Sequence, residues 1–304
     1  MPSSLLHQRI LDWYSREARV LPWREPGTSP WGVLVSEVML QQTPVGRVEP
    51  VWRQWMAVWP SPAALAASAP GDAVRAWGRL GYPRRALRLH AAATAIAEQH
   101  GGQVPDSHDA LLALPGVGSY TAAAVANFAF GLRETVVDTN VRRVLARVVT
   151  GSAQAAPSLT KAEVDLASSV LPSDAHTSRR WNVGVMELGA LVCSARMPRC
   201  PDCPVQDLCA WQSNGQPTYE GPARRGQSWH GTDRQCRGAI LAVLRESRGP
   251  VRARAIGAAW PTDDTQRDRC LDSLVADGLV EPLSGRRFRL PGRSEGSPHP
   301  DEAR

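Results

Sequence analysis

The chain has 304 residues, a hydrophobic content of 43% and a formal net charge of +6. This hydrophobic content suffices for a core and excludes wholesale disorder, while the positive charge favours a polyanionic partner. No apolar run reaches the roughly 18 residues of a membrane span, and the N-terminus lacks the pattern of a signal peptide. We therefore expect a cytoplasmic protein with no membrane partner, in which structural disulfides are rare.

The first 212 residues have the pattern of consecutive helices. Apolar residues recur at helical spacing, and no series of segments alternates as strands do. The sequence therefore predicts an all-α domain over residues 1–212. Its predicted helices occupy residues 5–17, 30–43, 45–59, 63–69, 72–80, 84–100, 107–113, 119–130, 140–149, 161–170 and 179–191. Ser29 can cap the second of these helices, and Pro30 suits its first turn.

The C-terminal part has a different composition. Residues 213–233 are rich in Gly, Pro, Ser and Gln and predict a linker. Three more predicted helices, at 235–246, 253–259 and 265–277, precede LVEPLSGRRFRL, which alternates around a Ser-Gly turn as a β-hairpin does. This order predicts a small winged-helix-like unit over residues 234–292, a kind of unit that binds DNA in some proteins and other proteins elsewhere. We expect residues 293–304 to be a disordered tail.

Four of the six cysteines lie close together, with the spacing C-x6-C-x2-C-x5-C. Thiolates converging on one point repel each other unless a cation holds them, and either Zn²⁺ or a [4Fe–4S] cluster would do so. Many zinc sites use two C-x2-C pairs, whereas this segment has one. The sequence therefore predicts a metal site in the loop 193–209, with Cys193, Cys200, Cys203 and Cys209 as ligands.

The segment LPGVGSYTAAAVANFAF, residues 114–130, joins two predicted helices by a short turn. Glycine permits positive φ and the close approach of another chain, and the amides at the start of the following helix form an anion site. This pattern is typical of a helix-hairpin-helix, which holds a DNA backbone without reading its sequence. We expect Gly116, Val117 and Gly118 to contact DNA, with a simple tight turn as the alternative.

Two carboxyl groups occupy unusual positions. Asp138 precedes a predicted helix and suits its N-cap, where capping amides would keep it ionised. Glu37 lies within the otherwise apolar GVLVSEVMLQQT. The pKa of a glutamate is about 4.3, and burial raises it by as much as about 3–5. A buried structural acid paired with Arg24 is the alternative for Glu37.

These motifs occur in one order over residues 11–209, together with LPWR at 21–24, SEVMLQQT at 36–43, LGY at 80–82 and MELGALVC at 186–193. In these motifs the chain resembles the MutY family of adenine DNA glycosylases, which belongs to the endonuclease III-like superfamily. The resemblance implies a two-lobed helix-hairpin-helix fold and one [4Fe–4S] cluster per chain on the four cysteines. It also implies base excision repair of adenine mispaired with 8-oxoguanine or guanine in double-stranded DNA. We expect a monomer associated with the nucleoid.

The resemblance also assigns roles to residues at the reaction centre. Adenine leaves poorly until a ring nitrogen is protonated, and Glu37 would be the acid. The sugar gains positive charge as the bond to adenine breaks, and Asp138 would stabilise that charge. The family pattern adds Asn140, which would orient Asp138, and Tyr120, which would lie against the reaction centre.

The resemblance assigns a further set of residues to the DNA. Adenine must leave the base stack before it reacts, which costs a few kcal/mol. Gln42 and Tyr82 would fill the duplex, and Arg24 would contact the DNA. A plain surface aromatic is the alternative for Tyr82.

Related activities leave two alternatives. Endonuclease III carries a Schiff-base lysine where this chain has Tyr120, and the single lysine, Lys161, lies far from the motif. The sequence therefore predicts a monofunctional glycosylase without lyase activity. A thymine or uracil mismatch glycosylase could also carry Tyr120, although Glu37 suits a purine leaving group. The second alternative is a non-catalytic iron–sulfur regulator that binds DNA.

The chain departs from the family pattern at three places. Thr139 follows the aspartate where the family usually has glycine, and Val183 replaces the Gln or Glu that contacts adenine. Residues 234–292 are too short for the Nudix-like domain that reads 8-oxoguanine in the family. We therefore expect a weak preference for 8-oxoguanine over guanine opposite adenine.

Overall fold

Helices make up most of the structure. The computed structural model describes residues 3–219, 221 and 229–292, so the predicted tail 293–304 and residues 220 and 222–228 of the predicted linker lie outside the described residues. The helices up to residue 213 are α1 Ser3–Glu17, α2 Pro30–Leu40, α3 Val45–Val58, α4 Pro62–Ala66, α5 Pro70–Trp77, α6 Arg84–Gln99, α7 His108–Leu112, α8 Ser119–Phe130, α9 Thr139–Leu145, α10 Lys161–Ser169, α11 Ala175–Leu191 and α12 Ala210–Ser213.

The prediction of an all-α domain is confirmed, and its errors lie at helix ends and at the short helix α12, which was not predicted. Helix α2 ends at Leu40 rather than at residue 43, because the chain turns there and Gln42 adopts a φ of +55°. Helix α11 begins at Ala175 rather than at residue 179, because the carboxylate of Asp174 accepts the amide of Thr177 and caps the helix. Helix α9 is followed by a π-helical turn, Ala146–Thr150.

The chain forms two compact units, each built from separate segments. Unit 1 comprises the described residues of Met1–Val33, Asp106–Ala113 and Val117–Ala223. Unit 2 comprises those of Leu34–Pro105, Leu114–Gly116 and Arg224–Arg304. The domain boundaries at residues 212 and 234 stay predictions.

Unit 1 is organised around α11, which packs against α1 and α9. Ile10, Trp181 and Leu188 are among the fully or almost fully buried members of its core. Burying each side chain of this size stabilises the fold by about 1.5–3 kcal/mol. A side chain at Gly184 would lie 3.3 Å from Ile10, so glycine keeps α1 and α11 close together.

In the first part of unit 2, α6 packs against α4 and α5. Trp55 and Trp77 are fully buried, and their ring centroids are 5.6 Å apart at an edge-on angle of 75°. This is a favourable geometry for aromatic pairs. The described residues contain no helix that is long and apolar enough to cross a bilayer.

The second part of unit 2 contains the three predicted C-terminal helices and the predicted hairpin. Helix α13 spans Asp233–Glu246, α14 spans Ala253–Ala259 and α15 spans Asp264–Ala276. The strands β1 Val251–Arg252, β2 Glu281–Leu283 and β3 Arg287–Arg289 form an antiparallel sheet in the order β1-β3-β2. Helix α13 packs against α14 and α15. We call residues 229–292 the C-terminal winged unit.

Candidate active site

Glu37, a residue of unit 2, lies on the buried helix α2. Helix α2 begins at Pro30, and the hydroxyl of Ser29 accepts the amide of Gly32 at 3.2 Å, as the sequence predicted. Glu37 is 5% exposed, and Leu34, Val38 and Met39 around it are equally or more deeply buried. The predicted burial of Glu37 is therefore confirmed. A carboxyl withdrawn from water is a feature of the acid catalyst in glycoside cleavage.

Arg85, which the sequence analysis missed, anchors the C-terminal end of α2. Its guanidinium is buried and donates to the carbonyl oxygens that α2 leaves without helical partners. Burial lowers its pKa to about 10, so the group remains charged at neutral pH. Its acceptors are the carbonyls of Val38 at 2.9 Å, Met39 at 3.1 Å, Gln41 at 2.6 Å and Gly81 at 3.1 Å, and the Thr43 hydroxyl at 3.0 Å.

Gln42 and Tyr82 both have left-handed backbones next to acceptors of Arg85. Their φ angles are +55° and +47°, a conformation that costs a non-glycine residue on the order of 1–3 kcal/mol. Both residues are exposed, Tyr82 by 53%, and the Arg85 guanidinium lies 5.5 Å from the Tyr82 ring centroid. Strained, exposed residues held by a buried anchor are typical of functional loops.

Asp138 in unit 1 caps α9 as predicted. One carboxylate oxygen accepts the amides of Asn140 at 2.8 Å and Val141 at 2.7 Å, and the other accepts the Asn140 side chain at 2.8 Å. We expected these donors to keep the carboxyl readily ionised. Burial instead outweighs the hydrogen bonds and the nearby Arg143, and it raises the pKa of Asp138. The prediction of the cap is confirmed, and its donors lower the pKa as expected, whereas the opposing effect of burial was not predicted.

Arg143 connects Asn140 to the cysteine loop. Its Nη2 donates to the side-chain oxygen of Asn140 and to the carbonyl of Gly189, both at 2.7 Å, and its Nε donates to the carbonyl of Cys193 at 2.7 Å. A Cβ at Gly189 would lie 2.6 Å from the Cβ of Asn140. The orientation of Asn140 is therefore fixed by Asp138 on one side, by Arg143 on the other, and by the bare backbone of Gly189.

The predicted hairpin uses its two glycines differently. Gly116 has a φ of +75°, and a Cβ there would lie 2.5 Å from the Cβ of Arg88, so glycine is required. Gly118 is the extended N-cap of α8, with open space where a Cβ would be. Val117 is buried, and Tyr120 packs half-buried in the first turn of α8. The exposed amides at the start of α8 suit an anion.

Glu187, another residue that sequence reasoning missed, holds two arginines. Its carboxylate is 1% exposed and accepts Arg19 at 2.6 and 2.9 Å, while Arg24 lies 2.9 Å away. Burial alone would raise the pKa of Glu187, but the two guanidiniums outweigh it and lower the pKa. The structure thus places Arg24 against Glu187 in unit 1. Removing one member of such a buried group typically costs about 3–5 kcal/mol.

The four predicted cysteine ligands line one cavity in unit 1, together with Arg147 and Trp211. Burial, together with the negative charge of the other three thiolates, raises the pKa of Cys203 to about 12. Arg147 lies 3.4 Å from the Cys193 sulfur and donates to the carbonyl of Ser194 at 2.7 Å. Within the described ranges, no group of three or more His, Cys, Asp or Glu could hold a metal ion as it stands.

The chemistry of the four sulfurs, rather than their spacing in this structure, suits an iron–sulfur cluster in two respects. Four soft sulfur ligands face one space, which is the ligand set of a [4Fe–4S] cluster. Burial is the largest cause of the raised pKa of Cys203, and the repulsion among the thiolates that adds to it is relieved when a cationic group binds them.

Comparison with known proteins identifies the family. Residues 35–168 match the model of the HhH-GPD superfamily base excision DNA repair proteins. The chain is 53% identical over 292 residues to the adenine DNA glycosylase of Mycobacterium tuberculosis (strain CDC 1551 / Oshkosh), covering 96% of this chain and 95% of that protein. It is 51% identical over 286 residues to the adenine DNA glycosylase of Mycolicibacterium smegmatis, covering 94% and 96% of the two chains.

A solved structure of a thermostable thymine-DNA glycosylase has a TM-score of 0.63 and 29% identity, covering 70% of this chain and 97% of that one. The predicted helix-hairpin-helix glycosylase fold is therefore confirmed. The match to the two mycobacterial proteins extends along nearly the whole chain, including most of the C-terminal winged unit. The chain belongs to the adenine DNA glycosylase family of the HhH-GPD superfamily.

Proposed function

We propose that the protein is a monofunctional DNA glycosylase that hydrolyses the bond between deoxyribose and adenine mispaired with 8-oxoguanine or guanine. The observation that carries this proposal is the carboxyl of Glu37, 5% exposed in the middle of an apolar helix. The near full-length identity to adenine DNA glycosylases supports adenine as the base. We further propose that the enzyme acts on double-stranded DNA in the nucleoid as a monomer.

In the proposed reaction, Glu37 donates its proton to a ring nitrogen of adenine. The C1′–N9 bond breaks, its electron pair goes to N9, and the sugar gains oxocarbenium character. The Asp138 carboxylate stabilises this positive charge until water adds at C1′ and loses a proton. Asn140 orients that carboxylate through its 2.8 Å hydrogen bond, and Tyr120 lies against the reaction centre.

The absence of lyase activity follows from the amines of the sequence. Tyr120 occupies the position at which endonuclease III has its nucleophilic lysine. The single lysine of the chain, Lys161, is 87% exposed on α10 and pairs with Asp165 at 2.6 Å. A Schiff base requires an amine at the sugar, so the product would be an intact abasic strand.

For the metal site, we propose one [4Fe–4S] cluster per chain, held by Cys193, Cys200, Cys203 and Cys209. When bound, the cluster would cross-link the loop 193–209 through four thiolate ligands. Arg143 and Arg147 hold the N-terminal end of that loop through its carbonyl groups. The cysteine loop would therefore present a fixed backbone to Arg143.

For the DNA contacts, we propose that Gln42 and Tyr82 enter the duplex and that the amides of residues 116–118 hold a phosphate. The strain at Gln42 and Tyr82 supports this role, because Arg85 maintains both in an exposed, ordered conformation. We propose residues 1–212 as the glycosylase domain, 213–233 as a linker and 234–292 as an accessory domain. Arg24 pairs with Glu187. We propose a DNA contact for Arg24 solely because it belongs to the LPWR motif.

We propose a weak preference for 8-oxoguanine over guanine. The described C-terminal residues form three helices and a small three-stranded sheet, a unit different from the Nudix-like reader that the family resemblance implies. Single-turnover excision rates opposite the two purines would differ by less than about tenfold, or 1.4 kcal/mol. A much larger preference would contradict this part of the proposal.

The central test measures excision from A:8-oxoguanine, A:G and T:G duplexes by wild type and Glu37→Gln. We expect adenine release by wild type, its loss in Glu37→Gln with retained duplex binding, and normal release by the exposed control Glu98→Gln. Full activity of Glu37→Gln would reject the acid role. Excision of thymine alone would identify a thymine glycosylase, and DNA binding without excision would identify a regulator. Iron and sulfide analysis of wild type and Cys200→Ser tests the cluster.

A further inference from the structure

Charge is unevenly distributed within the C-terminal winged unit. Most of its acidic side chains pair with one group of arginines: Asp233 with Arg269, Asp264 and Asp268 with Arg267, Asp277 with Arg237, and Glu281 with Arg289. A second group is exposed and has no carboxylate of the described residues within ion-pair distance. This group, which we call the wing arginines, consists of Arg248, Arg252, Arg254, Arg286 and Arg287.

The strand register brings two wing arginines together. Arg252 on β1 and Arg287 on β3 are directly paired across the antiparallel ladder, so their side chains share one face of the sheet. The neighbouring pair, Val251 and Phe288, points to the opposite face, where Val251 is buried. Like charges directly opposite each other destabilise a sheet. The pair is therefore unfavourable in the free protein and favourable when an anion binds it.

Another arginine on the same face, Arg289, has a carboxylate partner and provides a comparison. At the other end of the sheet, Arg289 donates to both carboxylate oxygens of Glu281, at 2.7 and 3.0 Å. Arg287 has a carbonyl acceptor instead, that of Ser284 at 3.1 Å, which leaves its positive charge uncompensated. The uncompensated charge is thus concentrated at the hairpin end of the sheet.

The winged unit is fixed to α5, which also belongs to unit 2. Arg75 of α5 donates to carbonyls at the end of α13, including that of Ser247 at 2.7 Å, while Arg245 of α13 donates to the carbonyl of Val74 at 3.0 Å. Burial lowers the pKa of Arg245 to about 10, so it stays charged at neutral pH. The amide of Gly71 donates to the carbonyl of Pro291 at 2.8 Å. A binding surface held in this way loses little conformational freedom when a ligand binds.

We propose that the wing arginines, centred on Arg252 and Arg287, bind the phosphate backbone of double-stranded DNA without reading its bases. Guanidinium groups match the geometry of phosphate oxygens, and contacts to phosphate supply most of the sequence-independent affinity of proteins for DNA. These arginines would give the protein a second DNA contact, made by the accessory domain in addition to the glycosylase domain. It rests on the proposed function only in taking DNA as the substrate.

The test measures the dissociation constant of the full chain for an undamaged DNA duplex over a series of salt concentrations. Each phosphate contact contributes about 0.9 to the slope of log affinity against log salt. For Arg252→Gln/Arg287→Gln we expect that slope to decrease by about 2, equally for unrelated duplex sequences. Arg252→Lys/Arg287→Lys keeps the charge and should keep most of the slope.

The matched control is Lys161→Gln/Arg269→Gln, which removes two positive charges that already have carboxylate partners, Asp165 and Asp233. We expect this variant to keep the wild-type slope. A wild-type slope in Arg252→Gln/Arg287→Gln would overturn the proposal and assign this face to another partner, such as an acidic protein surface. Undamaged DNA carries no adenine mispair, so failure of the proposed excision activity would leave the binding result intact.

Discussion

Arg143 Nη2 lies 2.7 Å from Asn140 Oδ1, and the amide nitrogen of the same Asn140 side chain donates to Asp138 at 2.8 Å. Arg143 also donates to the carbonyl of Cys193, a predicted cluster ligand. The guanidinium of Arg143 therefore determines which way the Asn140 amide faces. Because the same guanidinium binds the cysteine loop, the orientation of Asn140 depends on the position of that loop. The position of the Asp138 carboxylate therefore depends on a residue that acts on it through Asn140.

This relationship predicts that Arg143→Ala slows adenine excision. Asn140 would be free to rotate, and a carboxylate displaced by about 1 Å can lose on the order of 100-fold in rate. Single-turnover excision at saturating enzyme measures the effect. Arg142→Ala is the control, because Arg142 lies on the same helix but pairs with Glu163 at 2.7 Å, away from Asn140. Equal rates for the two variants would contradict the positioning role.

The raised pKa of Asp138 predicts the acid side of the pH–rate profile. The ionised carboxylate stabilises the sugar cation, so the rate falls as pH decreases through the folded-state pKa, which burial places above the ordinary value of 3.8. The Asn140 side chain lowers this pKa. We therefore expect Asn140→Ala to move the acid limb to higher pH, as measured by single-turnover rates. A limb that moves to lower pH would refute the assignment.

We expect a large loss of stability when Arg85 is replaced. Arg85→Met keeps much of the volume but leaves several buried acceptors without a donor, which we expect to cost about 2–4 kcal/mol. Equilibrium urea unfolding provides the measurement. Arg84→Met is the adjacent control, since Arg84 is 56% exposed and forms a 3.2 Å surface pair with Asp277. The control should lose less than about 1 kcal/mol, and a similar loss in both variants would show that Arg85 is no anchor.

Because Gly71 has no side chain, the C-terminal winged unit can approach α5 closely. A Cβ at Gly71 would lie 2.6 Å from the Pro291 carbonyl oxygen and 2.9 Å from the Leu290 Cβ. We expect Gly71→Ala to destabilise the protein by about 1–3 kcal/mol through this overpacking. Gly46→Ala in α3 is the control, because its Cβ would meet nothing within 4 Å and alanine favours a helix. Thermal unfolding should show a lower midpoint for Gly71→Ala alone.

Features that depend on residues nearby in the chain could be predicted from short sequence patterns. Ser29 and Asp138 were identified as caps because a cap is defined by the few residues that follow it. Glu37 was identified as buried because almost all of its neighbours along the helix are apolar. Gly116 was identified because the turn is short and requires a residue that tolerates positive φ.

Features that depend on distant residues could not be found in this way. Most acceptors of Arg85 lie at residues 38–43, between 42 and 47 positions away, and Glu187 binds Arg19 from 168 positions away. No spacing rule connects such residues. The burial that raises the pKa of Asp138 was missed for the same reason, since the cap is local whereas the burial that outweighs it comes from the whole unit. The early end of α2 likewise reflects Arg85 and the turn at Gln42.

The reciprocal contacts of Arg75 and Arg245 also constrain the order in which the nascent chain can fold. Helix α5 is completed roughly 150 residues before α13 emerges, which at the pace of translation is a delay of roughly 10–30 s. Throughout that interval the guanidinium of Arg75 has no α13 carbonyls to bind, while most of unit 1 is being synthesised. Unit 2 therefore reaches its final form only after the last part of the chain has left the ribosome, although it contains some of the earliest residues made.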